Sequence, residues 1–294
     1  MRDYRDHRYR SADDRLDLYA RDYPGASDDA PVLLMMHGLT RNSADFEPLV
    51  AGLDAGYRII VPDQRGRGDS DHDPDPANYR PDIYAADMFA LLDGLDIESA
   101  GLIGTSMGGL MAMIMGAMQG HRFPVMVLND IGPTIEQTGL DRIANYVGSA
   151  GPVSTWEDAA MRTAGVNGEA FPDYSEEDWM AFARRTYRED GDGNIGHAYD
   201  PMIARAFDDD DGGAGEVAPD LMWSLWDGLT KVPTLVVRGA LSDLLSEKTV
   251  TRMGERHEGP FAAVTVPDRG HAPMLDEPDA ITAIRSFLGD HFAV

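Results

Sequence analysis

Short apolar segments alternate with helical segments along most of the chain, and this alternation restricts the fold more than any other feature. Most of these segments are continuous apolar runs, which are typical of strands buried on both faces of a sheet. The segments that we interpret as strands are 14–23, 31–38, 57–63, 99–104, 124–130, 233–239 and 261–267. Helical segments, such as 82–95 and 278–292, separate several of them. The pattern predicts the α/β class, with a mostly parallel central sheet flanked by helices.

The alternation is interrupted between residues 134 and 230. This segment is mainly polar with helical patterning, and all four tryptophans of the chain lie in it: Trp156, Trp179, Trp223 and Trp226. We predict that residues 1–133 and 231–294 form one core domain. Residues 134–230, called the insertion from here on, are expected to form a helical cap. Its tryptophans either line a pocket beneath the cap or fill the cap's own small core.

The hexapeptide GTSMGG, residues 104–109, lies between a predicted buried strand and a predicted helix. Small residues on both sides of Ser106 allow a tight, strained turn that lifts a serine hydroxyl above the sheet. The turn also brings the serine to a helix N-terminus, where backbone N–H groups lack helical partners. The pattern predicts that Ser106 is a nucleophile.

A serine nucleophile needs a base, and the base needs an orienting carboxylate. In a fold of this kind the chain order is serine, acid, histidine. His271 directly follows the last predicted strand, whereas we interpret His121, His197, His257 and His291 as solvated surface residues. Asp243 follows the strand at 233–239 and is the expected acid. Asp130, which ends the strand at 124–130, is the alternative.

Acyl transfer also requires two N–H donors for the oxyanion of the tetrahedral intermediate. One is expected from Met107, directly after the nucleophile. The other is expected from the loop after the strand at 31–38, most simply from Leu39.

Composition limits the alternatives. The chain has no cysteine, which excludes disulfides, thiol catalysis and thiolate metal sites. Its formal net charge of −26 argues against a nucleic acid partner. The N-terminal segment is charged, and no apolar run approaches the roughly 20 residues of a membrane span. We therefore expect a cytoplasmic protein, monomeric or homodimeric, without a membrane partner.

Five strings together resemble the α/β-hydrolase superfamily: HGLTRNSADF, PDQRGRGDSD, GTSMGG, RGALSD and GHAP. The resemblance covers nearly the whole chain. It implies a hydrolase with a cap, with no metal and no organic cofactor. It also implies that Ser106, Asp243 and His271 form the catalytic triad, with Leu39 and Met107 in the oxyanion hole.

The expected reaction is hydrolysis of a small to medium carboxylic ester through an acyl-enzyme. Candidate substrate-binding residues are Phe46, Arg41, Trp156 and Trp179. The same triad serves lactonases and the hydrolases that cleave carbon–carbon bonds of ring-fission products, and these activities are the alternative. The ring-fission substrates are dianions and would need a basic pocket, for which Arg41 is the candidate. A binding protein built on a hydrolase scaffold is the non-enzymatic alternative.

Overall fold

One large sheet organises the chain. The structure is a computed structural model that describes residues 2–53, 55–149, 151–207 and 219–292, so residues 150 and 208–218 of the insertion lie outside the described residues. The strands are β1 (Arg5–Arg10), β2 (Asp17–Tyr23), β3 (Val32–Met36), β4 (Arg58–Asp63), β5 (Gly101–Thr105), β6 (Met126–Asn129), β7 (Tyr187–Glu189), β8 (Ile195–His197), β9 (Thr234–Gly239) and β10 (Phe261–Val266). The α-helices are α1 (Glu47–Gly52), α2 (Pro81–Gly94), α3 (Met107–Gln119), α4 (Gln137–Tyr146), α5 (Trp156–Asn167), α6 (Glu176–Thr186), α7 (Pro219–Gly228), α8 (Glu247–Glu255) and α9 (Pro278–His291).

The sheet has eight strands in the order β1-β2-β4-β3-β5-β6-β9-β10. The first two pairings, β1 with β2 and β2 with β4, are antiparallel, and the others are parallel. The predicted α/β class with a mostly parallel sheet is therefore confirmed. Six neighbouring strands are parallel, in the sheet order β4, β3, β5, β6, β9 and β10. The loops after β3, β5, β6, β9 and β10 therefore all emerge at the same edge of the sheet.

Apolar side chains cover both faces of the sheet, because alternate residues of each buried strand point to opposite sides. Leu34 and Met36 of β3 pack into one cluster with residues of α2, α3 and α7. Leu33 and Met35 of the same strand pack into a second cluster with residues of α1 and α9. None of the helices in the described ranges has the length and apolar character that crossing a membrane requires.

The insertion lies between β6 and β9 and contains α4 to α7 with the short hairpin β7–β8. Its last helix packs against α3 of the sheet domain. Trp223 and Trp226 of this helix join the large cluster that includes Met111 of α3. Trp156 and Trp179, in α5 and α6, instead pack with other residues of the insertion. The tryptophans thus belong to two different environments.

Hydrogen bonds attach the insertion to the sheet domain at several separate places. The loop after β8 is joined to the loop after β4, because the Gly68 N–H donates to the Ala198 carbonyl and the Asp200 N–H donates to the Gly66 carbonyl. Further attachments join Gly270 to Ala170, Asn42 to Arg185 and Arg142 to Asp243.

Candidate active site

Ser106 occupies a strained turn between β5 and α3. Its φ of +52° and ψ of −116° lie in a region that residues with a side chain rarely adopt. The neighbouring glycines leave room for this turn, since a Cβ at Gly104 would collide with the Gly108 carbonyl and one at Gly108 with the Met36 carbonyl. The backbone therefore has the strained strand–turn–helix geometry that the GTSMGG pattern predicts.

His271, in the loop after β10, contacts Ser106 and a carboxylate at the same time. Its Nε2 lies 2.8 Å from the Ser106 Oγ, and its Nδ1 lies 2.8 Å from the Asp130 Oδ2. With the proton on Nδ1, the imidazole donates to Asp130 and accepts from the serine hydroxyl. The three side chains form one continuous chain of hydrogen bonds.

Asp130 is held rigidly at the end of β6. The residue is fully buried and has a φ of +55°. Besides His271, the Gly239 N–H donates to its Oδ1 at 2.9 Å, and the Ser242 hydroxyl donates to its Oδ2 at 2.6 Å. These donors fix the orientation of the carboxylate toward the imidazole.

The prediction that Asp243 orients His271 is wrong, and the alternative, Asp130, occupies that position. Arg142 of α4 donates to both carboxylate oxygens of Asp243, at 2.6 and 2.9 Å. Burial raises the pKa of Asp243, but the hydrogen bonds and charge of Arg142 outweigh this effect, and the pKa lies below its usual value. Asp243 is thus an ionised partner of the insertion, while the neighbouring Ser242 supports Asp130.

Asn129 is a second supporting residue that the sequence analysis did not identify. It is fully buried beside Asp130, and its amide nitrogen donates to the Thr105 hydroxyl at 3.1 Å and to the Pro273 carbonyl at 2.8 Å. It therefore links the residue before Ser106 to the loop that carries His271. Its position directly before the buried aspartate was the available signal.

The loop after β3, with Leu39, forms one wall beside Ser106. His37 fixes this loop, because its Nδ1 donates to the Gly38 carbonyl and its Nε2 accepts from the Gln64 N–H. Burial lowers the pKa of His37 to about 3, so the ring is neutral in these roles. The buried Arg67 donates to the Leu39 carbonyl at 2.9 Å. On the other side of Ser106, Met107 is the first residue of α3, where N–H groups lack helical acceptors.

A cavity of about 110 Å³ opens above Ser106 and His271. Arg41 lines this cavity, as the sequence analysis expects, although Asp45 pairs with its guanidinium at 2.9 Å. Phe46, Trp156 and Trp179 are not among the residues that line it, so their assignment to substrate binding is wrong. Phe46 is buried in the second apolar cluster, which contains residues of α1 and α9.

The two tryptophans of α5 and α6 pack against other side chains of the insertion. Trp156 stacks under the Arg184 guanidinium at 3.8 Å from the ring centroid. Trp179 packs against Phe171, Tyr174 and Phe182. Of this group, Phe182 lines the cavity, and the sequence analysis did not identify it.

The side of the cavity formed by the insertion is more polar than the sequence analysis expects. Arg162 of α5, Tyr187 of β7 and His197 of β8 line it. His197, which we interpreted as a surface residue, has its Nε2 3.3 Å from the Tyr187 hydroxyl. Burial, with a smaller effect of the Arg162 charge, lowers the pKa of His197 to about 4. No motif marks these residues, because they converge only when the insertion folds over the sheet.

Comparison with known proteins shows which family the whole chain resembles. A model of the alpha/beta hydrolase family matches residues 32–284. The chain is 33% identical over 261 residues to a 3-hydroxybutyrate-oligomer hydrolase of Cupriavidus necator, covering 87% of this chain and 88% of that protein. It is 29% identical over 259 residues to a 2-(acetamidomethylene)succinate hydrolase of Mesorhizobium japonicum, covering 88% of each.

A solved structure is similar over nearly the full length. It is an alpha/beta hydrolase from Novosphingobium aromaticivorans, which superposes with a TM-score of 0.90 at 41% identity and covers 98% of this chain and 99% of that chain. The similarity therefore includes the insertion as well as the sheet.

Proposed function

Because the chain belongs to the α/β-hydrolase family, we propose that it is a serine hydrolase that cleaves carboxylic esters through an acyl-enzyme on Ser106. One observation carries the proposal: the hydrogen-bonded series from the Ser106 Oγ through His271 to the buried Asp130. This is the arrangement in which a weak hydroxyl nucleophile gains a correctly oriented base.

In the proposed mechanism the Ser106 oxygen attacks the acyl carbon, and its proton moves to the Nε2 of His271. Asp130 accepts a hydrogen bond from Nδ1–H and stabilises the imidazolium that forms. The imidazolium then protonates the leaving alkoxide. A water molecule, deprotonated by the same nitrogen, attacks the acyl-enzyme and releases the acid.

The backbone N–H groups of Leu39 and Met107 are the proposed donors to the tetrahedral oxyanion. Leu39 lines the cavity beside Ser106, and its loop is fixed by His37 and Arg67. Donors held in place in this way need no reorganisation when negative charge develops on the carbonyl oxygen. Each contributes roughly 3 kcal/mol to the lowering of the barrier.

One of the named relatives supports an ester as the bond cleaved. The protein that is 33% identical acts on an oligomer of a hydroxy acid, and such units are joined by ester bonds. The alternative is hydrolysis of a lactone or of a carbon–carbon bond by the same three side chains. It differs from the proposal only in the bond that is cleaved.

A substrate panel tests the proposal. The panel contains p-nitrophenyl butyrate, a five-membered lactone and a ring-fission dienone, each assayed with the wild type and Ser106→Ala. We expect the highest kcat/KM on the ester and its loss in the alanine variant. Phenylmethylsulfonyl fluoride should add one sulfonyl group to Ser106, seen by peptide mass spectrometry.

Two results would contradict the proposal. Full esterase activity of Ser106→Ala would remove the nucleophile. A dienone or lactone preference of at least about a hundredfold in kcat/KM, equivalent to about 2.7 kcal/mol, would replace the ester with the alternative substrate.

A further inference from the structure

The part of the cavity wall that α5 forms carries a positive charge that the proposed reaction does not use. Four residues on the same face of α5 line the cavity, in two adjacent pairs about one helical turn apart: Arg162, Thr163, Val166 and Asn167. Arg162 is the charged member of this face. Its guanidinium donates to the Gly151 carbonyl and lies close to the Tyr187 hydroxyl.

The charges along the cavity do not cancel. Arg41 and Arg162 are the arginines among the lining residues, and Asp45 is the carboxylate among them. Asp45 pairs with Arg41 at 2.9 Å. Within the part of the chain that the structure describes, no carboxylate forms an ion pair with Arg162. Counting histidines as neutral, the lining carries one uncompensated positive charge, in a chain whose net charge is −26.

The neighbours of Arg162 do not add a second charge. Burial and the adjacent guanidinium lower the pKa of His197 to about 4, so its ring is neutral near pH 7. Burial raises the pKa of Tyr187 although Arg162 acts in the opposite direction, so the hydroxyl keeps its proton. This end of the cavity therefore offers one cation surrounded by neutral hydrogen-bonding groups.

We propose that Arg162 binds a free carboxylate of the substrate, so that the preferred substrate is a short ester with one negative charge. This inference rests on the proposed esterase function. A half-buried guanidinium that pairs with no carboxylate of the described residues favours an incoming carboxylate, because the new pair forms charge-assisted hydrogen bonds away from bulk water. Because Arg41 is already paired, the site fits a monoanion better than a dianion.

The test compares two esters that differ only in charge. One is the butyryl ester of 3-hydroxybutyrate, which has a free carboxylate, and the other is the butyryl ester of 3-hydroxybutanamide, which is neutral. Release of butyrate is followed for the wild type, Arg162→Gln, Arg162→Lys and Arg184→Gln. The last is the matched control, because Arg184 is an exposed arginine of α6 that does not line the cavity.

For Arg162→Gln we expect KM for the carboxylate ester to rise roughly 10- to 100-fold, as for loss of a hydrogen bond to a charged group. KM for the neutral ester should change less than about twofold. Arg162→Lys should retain part of the preference, because it keeps the charge but loses the bidentate geometry. Arg184→Gln should match the wild type on both esters. Equal losses on the two esters in Arg162→Gln would overturn the inference.

A binding measurement separates this inference from the proposed function. Ser106→Ala is titrated calorimetrically with both esters, alone and combined with Arg162→Gln. We expect the carboxylate ester to bind at least about tenfold more tightly than the amide, and the second substitution to abolish this difference. If Ser106→Ala still cleaves esters, the proposed function fails, and the KM comparison of wild type and Arg162→Gln on the two esters still tests Arg162. Equal binding of the two esters removes the carboxylate site and leaves the nucleophile untouched.

Discussion

Arg142 of the insertion and Asp243 of the loop after β9 form a bidentate ion pair, with nitrogen–oxygen distances of 2.6 and 2.9 Å. Arg142 therefore pairs with the carboxylate that the sequence pattern predicts as the partner of His271. The imidazole instead contacts Asp130, which lies at the end of the adjacent strand β6. The two aspartates thus have separate roles, one beside the base and one at the junction with the insertion.

We therefore expect Asp130→Asn and Asp243→Asn to differ sharply in activity. The first replaces the acceptor of the Nδ1–H bond and favours the wrong tautomer of His271, so kcat should fall by roughly a thousandfold or more. The second leaves the triad intact and should lower kcat by less than about tenfold. Steady-state kinetics on p-nitrophenyl butyrate gives both values.

Arg142→Gln is the matched control, since it breaks the same ion pair from the other side. Its kcat should resemble that of Asp243→Asn, and thermal melts should show that all three variants are folded. A larger loss in Asp243→Asn than in Asp130→Asn would return the acid to the loop after β9.

His37 should make stability fall as the solution is acidified. Its pKa is about 3 in the folded protein against 6.5 for an unperturbed histidine, so the unfolded state binds the proton more readily. This contribution is fully present above about pH 6.5 and is lost as the pH falls toward 3. At about pH 4.5 the loss amounts to about 2–3 kcal/mol.

Urea denaturation at about pH 7 and about pH 4.5 measures this effect. His37→Gln should be less stable near neutrality but should lose less free energy of unfolding on acidification than the wild type. His121→Gln, at an exposed position, should keep the wild-type dependence. Identical pH dependence in the wild type and His37→Gln would show that this ring does not control the effect.

Two glycine substitutions should change stability in opposite directions. An alanine Cβ at Gly108 would collide with the backbone carbonyl of Met36, which cannot move without disturbing β3. An alanine at Gly165, inside α5, meets no heavy atom within 4 Å. Gly108→Ala should lower the melting temperature sharply or prevent soluble expression. Gly165→Ala should stabilise the protein by about 0.5–1 kcal/mol.

Thermal melts of both variants beside the wild type decide this prediction. An unchanged melting temperature for Gly108→Ala would mean that the turn tolerates a side chain and that its glycines are not required by packing. A decrease for Gly165→Ala would reveal a contact of α5 that involves this position.

The sheet and the turn at Ser106 could be predicted from the sequence because both depend on local signals. A buried strand shows itself as an apolar run, and the strained turn shows itself as small residues around a serine. The choice between Asp130 and Asp243 has no such local signal. Both follow neighbouring parallel strands, and the outcome depends on the positive φ of Asp130 and on Arg142, which is distant in sequence from both Asp243 and His271.

The residues of the cavity wall could not be predicted from the sequence either, for a related reason. Arg162, Tyr187 and His197 lie on three elements, and only the packing of the insertion brings them together. The tryptophans illustrate the opposite error. Trp156 and Trp179 are predicted to bind substrate, yet neither lines the cavity and Trp179 packs among other aromatic residues of the insertion. Large aromatic side chains contribute most to stability where they are buried, and that use needs no ligand.

The attachments between the insertion and the sheet domain restrict the movement of the insertion as one body. A rigid body that rotates about one hinge axis keeps only the attachments that lie near that axis. The insertion is held near residues 142, 170, 185 and 198–200, which belong to four separate parts of its sequence. Swinging it open as one piece would break several hydrogen bonds together. We therefore expect the insertion to stay in place when a substrate enters, so that the width of the entrance depends on small movements of the surrounding side chains.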